Sequence, residues 1–250
     1  MMEAFIITGA SKGIGLELCR QLAGKGAFVI GIARTAEENW PGTVFFPFDL
    51  TKTDNIAELM AAVSQALPAE ISALTLINNA GTIEPIGFAE NNELEAIAAS
   101  ISLNLTAPML LCSAFLQAFK GNDAVKSIVN ISSGAGRHTY KGWSAYCAGK
   151  AGLDHFSACL DEENDQVKVV SVAPGIIDTD MQSRIRSSSE SDFPLLERFQ
   201  DYKDSGKLSS AKATAFHLIE MMERRDFRTL PTILDLRNLP SMPQERNITE

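Results

Sequence analysis

The sequence predicts a doubly wound α/β fold with a central parallel sheet of about seven strands, and three observations carry that prediction. Short apolar runs alternate with helical patterns from end to end, as βαβ units do. A glycine-rich turn, Thr8-Gly9-Ala10-Ser11-Lys12-Gly13-Ile14-Gly15, joins the first apolar run to the first helix. No internal repeat and no linker divides the 250 residues, so a single domain over 1–250 is expected.

Taken in order, Ala4–Thr8 reads as the first strand and Ile14–Ala23 as a helix closed by Gly24 and Gly26. Phe28–Ile32 and Val44–Phe48 give the second and third strands, the latter ending in Asp49. Thr51 is the expected N-cap of a helix over Ile56–Leu67 that Pro68 stops. Leu74–Asn78 is the fourth strand. A long helical stretch from Glu93 to Phe119 follows, with a bend expected near Pro108. Ser127–Ile131, Lys168–Val172 and Ile233–Leu236 read as strands, and Ser144–Leu160 as a helix. Two regions break the rhythm. Asp178–Lys207 is polar, carries two short helical candidates, and has the length of a functional lid. The tail after Arg237 is polar with two prolines.

The composition is that of a globular protein, 45% hydrophobic and 21% charged. The net charge of −9 and the absence of a clustered basic patch argue against a nucleic-acid surface. No apolar run is read as the roughly 20 residues that span a bilayer, and the N-terminus lacks a basic region and a small-residue cleavage site. A cytoplasmic protein with no membrane partner is expected. Cys19, Cys112, Cys147 and Cys159 form no C-x-x-C pair and no metal-ligand spacing, so no metal is expected. The Asn104 and Asn130 tripeptides fit the glycosylation pattern but fall inside predicted elements.

Glycines at 9, 13 and 15 allow a tight turn that brings backbone close to a pyrophosphate, and the helix from Ile14 offers it free N–H groups. By itself the segment also fits a plain strand-to-helix turn. The second strand ends Gly31-Ile32-Ala33-Arg34-Thr35, with no acid before Glu37 to take a ribose 2′-hydroxyl. Arg34 and Lys12 are suited to a 2′-phosphate, though each is also an ordinary surface cation. Together they favour NADPH/NADP. Tyr146 and Lys150 lie four residues apart on a predicted helix and share a face. An ammonium there, with the charge of an oxidised nicotinamide, is expected to lower the phenol from its usual value near 10 (about 10 in model compounds) so that it exchanges a proton. Ser133 falls 13 residues before Tyr146.

These motifs together resemble the short-chain dehydrogenases/reductases, Rossmann-fold enzymes, over residues 4 to about 236. TGASKGIG resembles the cofactor loop, and Asn78-Asn79-Ala80-Gly81 the second signature. Asp49, with Leu50 beside it, matches the adenine contact. The resemblance implies that Ser133, rather than its neighbour Ser132, holds the substrate carbonyl. It implies that Tyr146 is the proton donor, that Lys150 tunes Tyr146 and binds nicotinamide ribose, and that Asn104 supports a proton-relay water. Asn104 also fits an interior asparagine satisfying helix carbonyls. Pro174-Gly175-Ile176-Ile177-Asp178-Thr179 resembles the loop after the sixth strand, where Ile177 and Thr179 hold the carboxamide or phosphate. Met181 is grouped with the cofactor contacts. The 93–119 helix and the Tyr146 helix resemble the pair that joins the family's homodimers.

The strings Lys141-Gly142-Trp143-Ser144-Ala145-Tyr146-Cys147-Ala148-Gly149-Lys150 and Asp178-Thr179-Asp180-Met181-Gln182 resemble sepiapterin reductases. Ile185-Arg186-Ser187-Ser188-Ser189 and Glu197-Arg198-Phe199 resemble the bacillus-type benzil reductases that form (S)-benzoin. The implied substrate is a small-molecule vicinal dicarbonyl. Trp143, one turn before Tyr146, is suited to wall a pocket for a flat aromatic substrate or to pack on a neighbouring helix. Met181 and Phe193 are placed to close over such a ligand. Asp235 does not align cleanly with the acid that holds the pterin. Asp178 and Asp180 read as loop caps. Cys147 reads as pointing off the catalytic face.

Overall fold

The structure, a computed structural model, describes residues 2–35 and 41–239. Glu37 and the tail from 240 onward lie outside the described residues. Strand β1 (Met2–Thr8) leads through the glycine turn into α1 (Gly13–Gly24). Then come β2 (Phe28–Ala33), β3 (Thr43–Pro47), α2 (Ile56–Ala66) and β4 (Ile71–Asn78). Helices α3 (Leu94–Ile101) and α4 (Ala107–Ala118) are joined by a π-turn over Ser102–Thr106. They are followed by β5 (Val125–Ile131), α5 (Ser144–Glu163) and β6 (Val167–Ala173). The chain ends through β7 (Ile177–Asp178), α6 (Asp180–Arg186), α7 (Leu196–Asp204), β8 (Ser209–Ser210), α8 (Ala211–Glu223) and β9 (Ile233–Asp235).

Seven strands form one sheet in the order β3-β2-β1-β4-β5-β6-β9, and every neighbouring pair is parallel. This is the expected doubly wound arrangement, with the order reversing direction between β1 and β4. Both faces of such a sheet are covered, which is why its strands are apolar almost throughout. In β1 the period of two sends Ala4 and Ile6 to one core, beside Met60 and Val63 of α2 and Leu111 and Phe115 of α4. Phe5 and Ile7 meet the other, formed by Leu18 and Leu22 of α1 and Leu218 and Ile219 of α8.

Three expectations are corrected here. Thr51 does not cap α2; Lys52 and Asn55 stand before the 3₁₀ turn and the helix, and the Thr51 hydroxyl bonds Asp49 Oδ1 at 2.8 Å. An acid two residues upstream captures it in a side-chain turn. At the end of the same helix, Leu67 is already extended (ψ 146°), as the residue before Pro68 must be. The irregularity near Pro108 is the π-turn just before it. Pro108 has no N–H for the Asn104 carbonyl and its ring would clash with it, and a wider turn relieves both. The helix Leu94–Ala118 also has the length and hydropathy of a membrane span, 25 residues at mean hydropathy 1.5. Its inward residues Ala107, Leu111, Cys112 and Phe115 are instead buried in the first core.

The lid forms the two short helices expected of it, α6 and α7, and the parallel β7–β8 ribbon closes its base. Ile185, Phe193 and Phe199 bury themselves against Ile83, Trp143 and Tyr146, so the lid docks directly on the start of α5.

Phe115 is fully buried between α4 and the sheet. Phe115→Ala is expected to cost about 3–5 kcal/mol of unfolding free energy, read from urea denaturation. A loss within experimental error would show that this core is loosely packed.

Candidate active site

The glycine turn is held by the ends of β1 and β4. The Thr8 hydroxyl accepts hydrogen bonds from the backbone N–H groups of Asn79 and Ala80, each at 3.0 Å. The Asn79 amide donates to Thr8 O at 2.9 Å. Gly9 (φ +67°) and Gly13 (φ +56°) sit where a side chain is strained. A Cβ at Gly15 would stand 2.2 Å from Gly9 O, so the helix start presses directly on the turn. The first turn of α1 carries no acid, which leaves its positive end and free N–H groups to an anion.

A cleft of about 1190 Å³ runs along this end of the sheet. Gly9, Ser11, Lys12, Gly13 and Ile14 line it at the turn, and Arg34, Asp49 and Leu50 at the ends of β2 and β3. Asn79, Ala80 and Gly81 line its middle, with Pro174, Gly175, Ile177, Thr179 and Met181 beyond β6. These residues fit an extended dinucleotide such as a nicotinamide cofactor: a phosphate cradle in the centre, and pockets on either side of the sheet's reversal.

Two residues assigned to the cofactor from sequence lie elsewhere. Asn78 is 2% exposed and turned into the core, where its amide donates to Asn130 Oδ1 at 2.8 Å. Asn130 in turn donates to Ser157 Oγ at 2.8 Å. Strand alternation decides this, since adjacent residues point to opposite faces and Asn79 is the one at the cleft. Gly15 stands behind the turn and shapes it without lining the cleft. Lys12 reaches Asp180 Oδ2 of the lid at 3.0 Å. Asp180 is therefore an ion-pair partner rather than a cap, as is Asp178, bonded to Lys203 at 2.5 Å. The Asp49 carboxyl is held below its usual range, first by the Thr51 hydroxyl and backbone and then by the Arg34 charge.

The proton-handling groups converge from three elements. Helix α5 carries Tyr146 and Lys150 on its inner face, both buried (7% and 5% exposed). Ser133, just after β5, places its hydroxyl in hydrogen-bonding reach of the Tyr146 phenol. Ser132 is instead buried, with no partner for its hydroxyl. Lys150 Nζ donates to Ile131 O at 2.8 Å and lies 5.9 Å from the Tyr146 ring centre. Asn104, in the π-turn, accepts from Thr82 N (3.0 Å) and donates to Thr82 O (2.8 Å). It thus ties the π-turn to the Gly81–Thr82 loop, where a Cβ at Gly81 would meet its Oδ1 at 2.9 Å. Its amide serves that loop rather than helix carbonyls.

The phenol departs from expectation. Burial pushes Tyr146 up to about 12, with the Ser133 hydrogen bond opposing. Burial also brings Lys150 down to about 8, with the Asp154 charge opposing. Tyr146 therefore stands as a protonated acid, ready to give up its proton only when negative charge develops beside it.

Aromatic side chains close the far end. Trp143 lines the cleft, and it also stacks on Phe193 at 4.5 Å and meets Phe199 and Tyr146 edge-on. Phe193 is fully buried behind Trp143 and supports the wall without lining it. Tyr140, Arg198, Phe199, Tyr202, Asp235 and Arg237 also line the cleft, and of these Tyr202 and Arg237 carried no signal in the sequence. Asp235 is gripped by Arg237 at both oxygens, at 2.9 and 2.6 Å. Cys147 is half-buried, its thiol pushed up by burial and turned to His138 O.

A methyl at Gly15 would push the turn out of shape. Gly15→Ala is expected to weaken dinucleotide binding at least about tenfold, or ~1.4 kcal/mol, in a fluorescence titration. Unchanged affinity would mean that this turn is not the phosphate cradle.

Comparison with known proteins agrees with this geometry. The model of the family described as short chain dehydrogenase matches residues 3–190. A benzil reductase ((S)-benzoin forming) of Bacillus subtilis (strain 168) is 38% identical over 229 residues, covering 89% of this chain and 94% of that protein. The sepiapterin reductase of Rattus norvegicus is 35% identical over 243 residues, covering 90% of this chain and 92% of its own. Among solved structures, the KRED1-Pglu enzyme superposes with a TM-score of 0.83 at 26% identity, covering 93% of this chain and 100% of that one. The chain belongs to the short chain dehydrogenase family, as an oxidoreductase that uses a nicotinamide cofactor and acts on CH–OH/C=O groups.

Proposed function

We propose that this protein is an NADPH-dependent carbonyl reductase that converts one carbonyl of a vicinal diketone to a hydroxyl, as in benzil to (S)-benzoin. The observation that carries this reading is the junction of Tyr146 and Ser133 with a cleft end walled by Tyr140, Trp143, Phe199 and Tyr202. A flat aryl ketone gains apolar contact there while its oxygen meets two hydroxyls. The 38% and 36% identities to two benzil reductases support the same substrate class.

When bound, the reduced nicotinamide supplies a hydride to the carbonyl carbon. The chain's residues manage the oxygen. Ser133 donates a hydrogen bond to it and stabilises the charge that grows there. Tyr146 transfers its phenolic proton to that oxygen, so the product is a neutral alcohol. Lys150 stabilises the phenolate left behind and orients the cofactor's ribose. Asn104, through Thr82 and the π-turn, keeps the loop beside Lys150 in place.

NADPH is preferred because Arg34 lines the cleft at the end of β2, with Lys12 across the turn. Among the described residues no acid occupies that strand end. Pterin reduction is the second reading, favoured by Asp235 in the cleft wall and by the relationship to sepiapterin reductases. Its bidentate pairing with Arg237 occupies the carboxylate, which favours the diketone. We further propose a cytoplasmic homodimer joined through α3–α4 and α5. Leu94, Met109 and Leu110 of that helix pair and Ala148 and Ala151 of α5 are exposed.

NADPH oxidation with benzil and with sepiapterin tests the substrate, with chiral analysis of the product. Turnover of benzil to one benzoin enantiomer is expected. Preference for sepiapterin would favour the second reading. Tyr146→Phe is expected to bind NADPH normally while turnover falls about 100-fold or more. Near wild-type turnover would remove Tyr146 as proton donor. Arg34→Ala is expected to weaken NADPH binding about tenfold and leave NADH within about twofold. Equal losses for both would remove the 2′-phosphate contact.

A further inference from the structure

Helix α5 buries one more charge than the reaction requires. Asp154 lies one turn beyond Lys150 on the same inner face and is 5% exposed. Its Oδ1 accepts from Ser171 Oγ of β6 at 2.6 Å, and its Oδ2 from Arg137 Nε at 3.1 Å. Arg137 follows the Ser133 turn, and its other end donates to Leu234 O of β9 at 3.1 Å. Arg137 is partly exposed at the cleft, so the acid rather than the pair is buried, and a buried carboxylate is a costly way to fill a helix–sheet interface that an apolar side chain would fill as well. Something other than packing accounts for it.

We propose that Asp154 is the positioning counter-charge of Lys150, and that Arg137 sets how much of that charge Lys150 feels. This rests on the role given to Lys150 above. Gly136 packs the Ser133 turn tightly here: a Cβ on it would stand 2.9 Å from the Lys150 carbonyl and 3.1 Å from Asp154 Oδ2. Little water enters such a contact, so the field of a neighbouring charge is strong. The groups facing Lys150 can be named element by element. Helix α5 presents Tyr146 and Asp154, and β5 the Ile131 carbonyl. The loop after β4 presents Gly81, with Asn104 of the π-turn behind it. The loop after β5 presents Ser132, Ser133 and Arg137, β6 the neutral Ser171, and β9 the Asp235–Arg237 pair beyond Arg137.

Asp154 is the acid that acts on Lys150 in this set. It favours the ammonium where burial disfavours it. Charges then alternate along Lys150, Asp154, Arg137, Asp235 and Arg237, from the lysine to the wall of the cleft.

The sign of each perturbation follows. Activity needs the ammonium, which is present at low pH and lost as pH rises through the lysine's pKa. Removing the Asp154 charge lowers that pKa, and removing the Arg137 charge raises it. The test is kcat/KM against pH at saturating NADPH for wild type, Asp154→Asn, Arg137→Met and Lys150→Ala. Asp154→Asn is expected to move the alkaline limb down by about half a pH unit or more, and Arg137→Met to move it up. A purely structural role would lower activity without moving the limb, or would move both limbs the same way, and either result overturns the proposal. If Asp154→Asn does not fold by circular dichroism, Arg137→Met carries the test alone, and a limb that stays or falls overturns it. Lys150→Ala with near wild-type activity would instead overturn the role of Lys150 itself, wherever the other limbs fall.

Discussion

Parallel pairing of β1 with both β2 and β4 is the constraint on which the rest of this molecule depends. Parallel strands bring all their carboxyl ends to one edge of the sheet, and their crossovers must leave that edge on opposite faces. Where the order reverses, no helix fills the gap. The cleft exists for that reason, and the turns after β1, β4, β5 and β6 all open into it. Thr8 closes the seam with one hydroxyl that accepts from two backbone N–H groups of the β4 turn. Few side chains in the structure carry more of its geometry.

On that edge the chain buries what it needs to be reactive. Tyr146 and Lys150 are nearly out of water, which drives the phenol up and the ammonium down. Each shift by itself opposes the charged form, so the phenol rests as a neutral acid beside an ammonium that is lost more readily than that of a free lysine. That state suits proton donation triggered by hydride arrival, because the new charge on the oxygen appears in a place already short of solvent. The lid completes the exclusion. Phe193 and Phe199 pack behind and beside Trp143, and the wall is rigid because its own support is aromatic.

Much of this was legible from sequence because it follows from spacing. The strands, the glycine turn, the Tyr146–Lys150 pair and the two lid helices all declare themselves in periodicity or in short motifs. Element ends shifted by no more than two residues, except at the start of β4 and the end of α5, where they shifted by three. What spacing did not resolve was direction. Asn78 and Asn79 are adjacent and identical, and the phase of β4, visible in the pairing of Asn78 with Asn130, decides which of them turns inward. Lys12 carries no mark in sequence of the lid acid that it meets 168 positions away. Phe193 and Trp143 were both suited to face a ligand, and their stacking settles that Trp143 is in front. Asp235 and Arg237 reach the cleft only because β9 joins the sheet beside β6.

The π-turn joins these strands of argument. Pro108 is a defect for an α-helix, yet it falls where the helix passes the site. The widened turn needed to accommodate the proline puts Asn104 against Thr82, and with it the Gly81 backbone against Lys150. A regular helix would leave the Asn104 carbonyl without a partner at Pro108 and present a different side chain to the loop. The same lysine is bounded on its other side by Asp154, held in turn by Arg137 and Ser171. Position on one side and charge on the other are thus supplied by two features that packing alone would have disfavoured, a proline within a long helix and an acid within a core. Local rules broken at a site, with compensation in the surrounding structure, are what function leaves in a sequence.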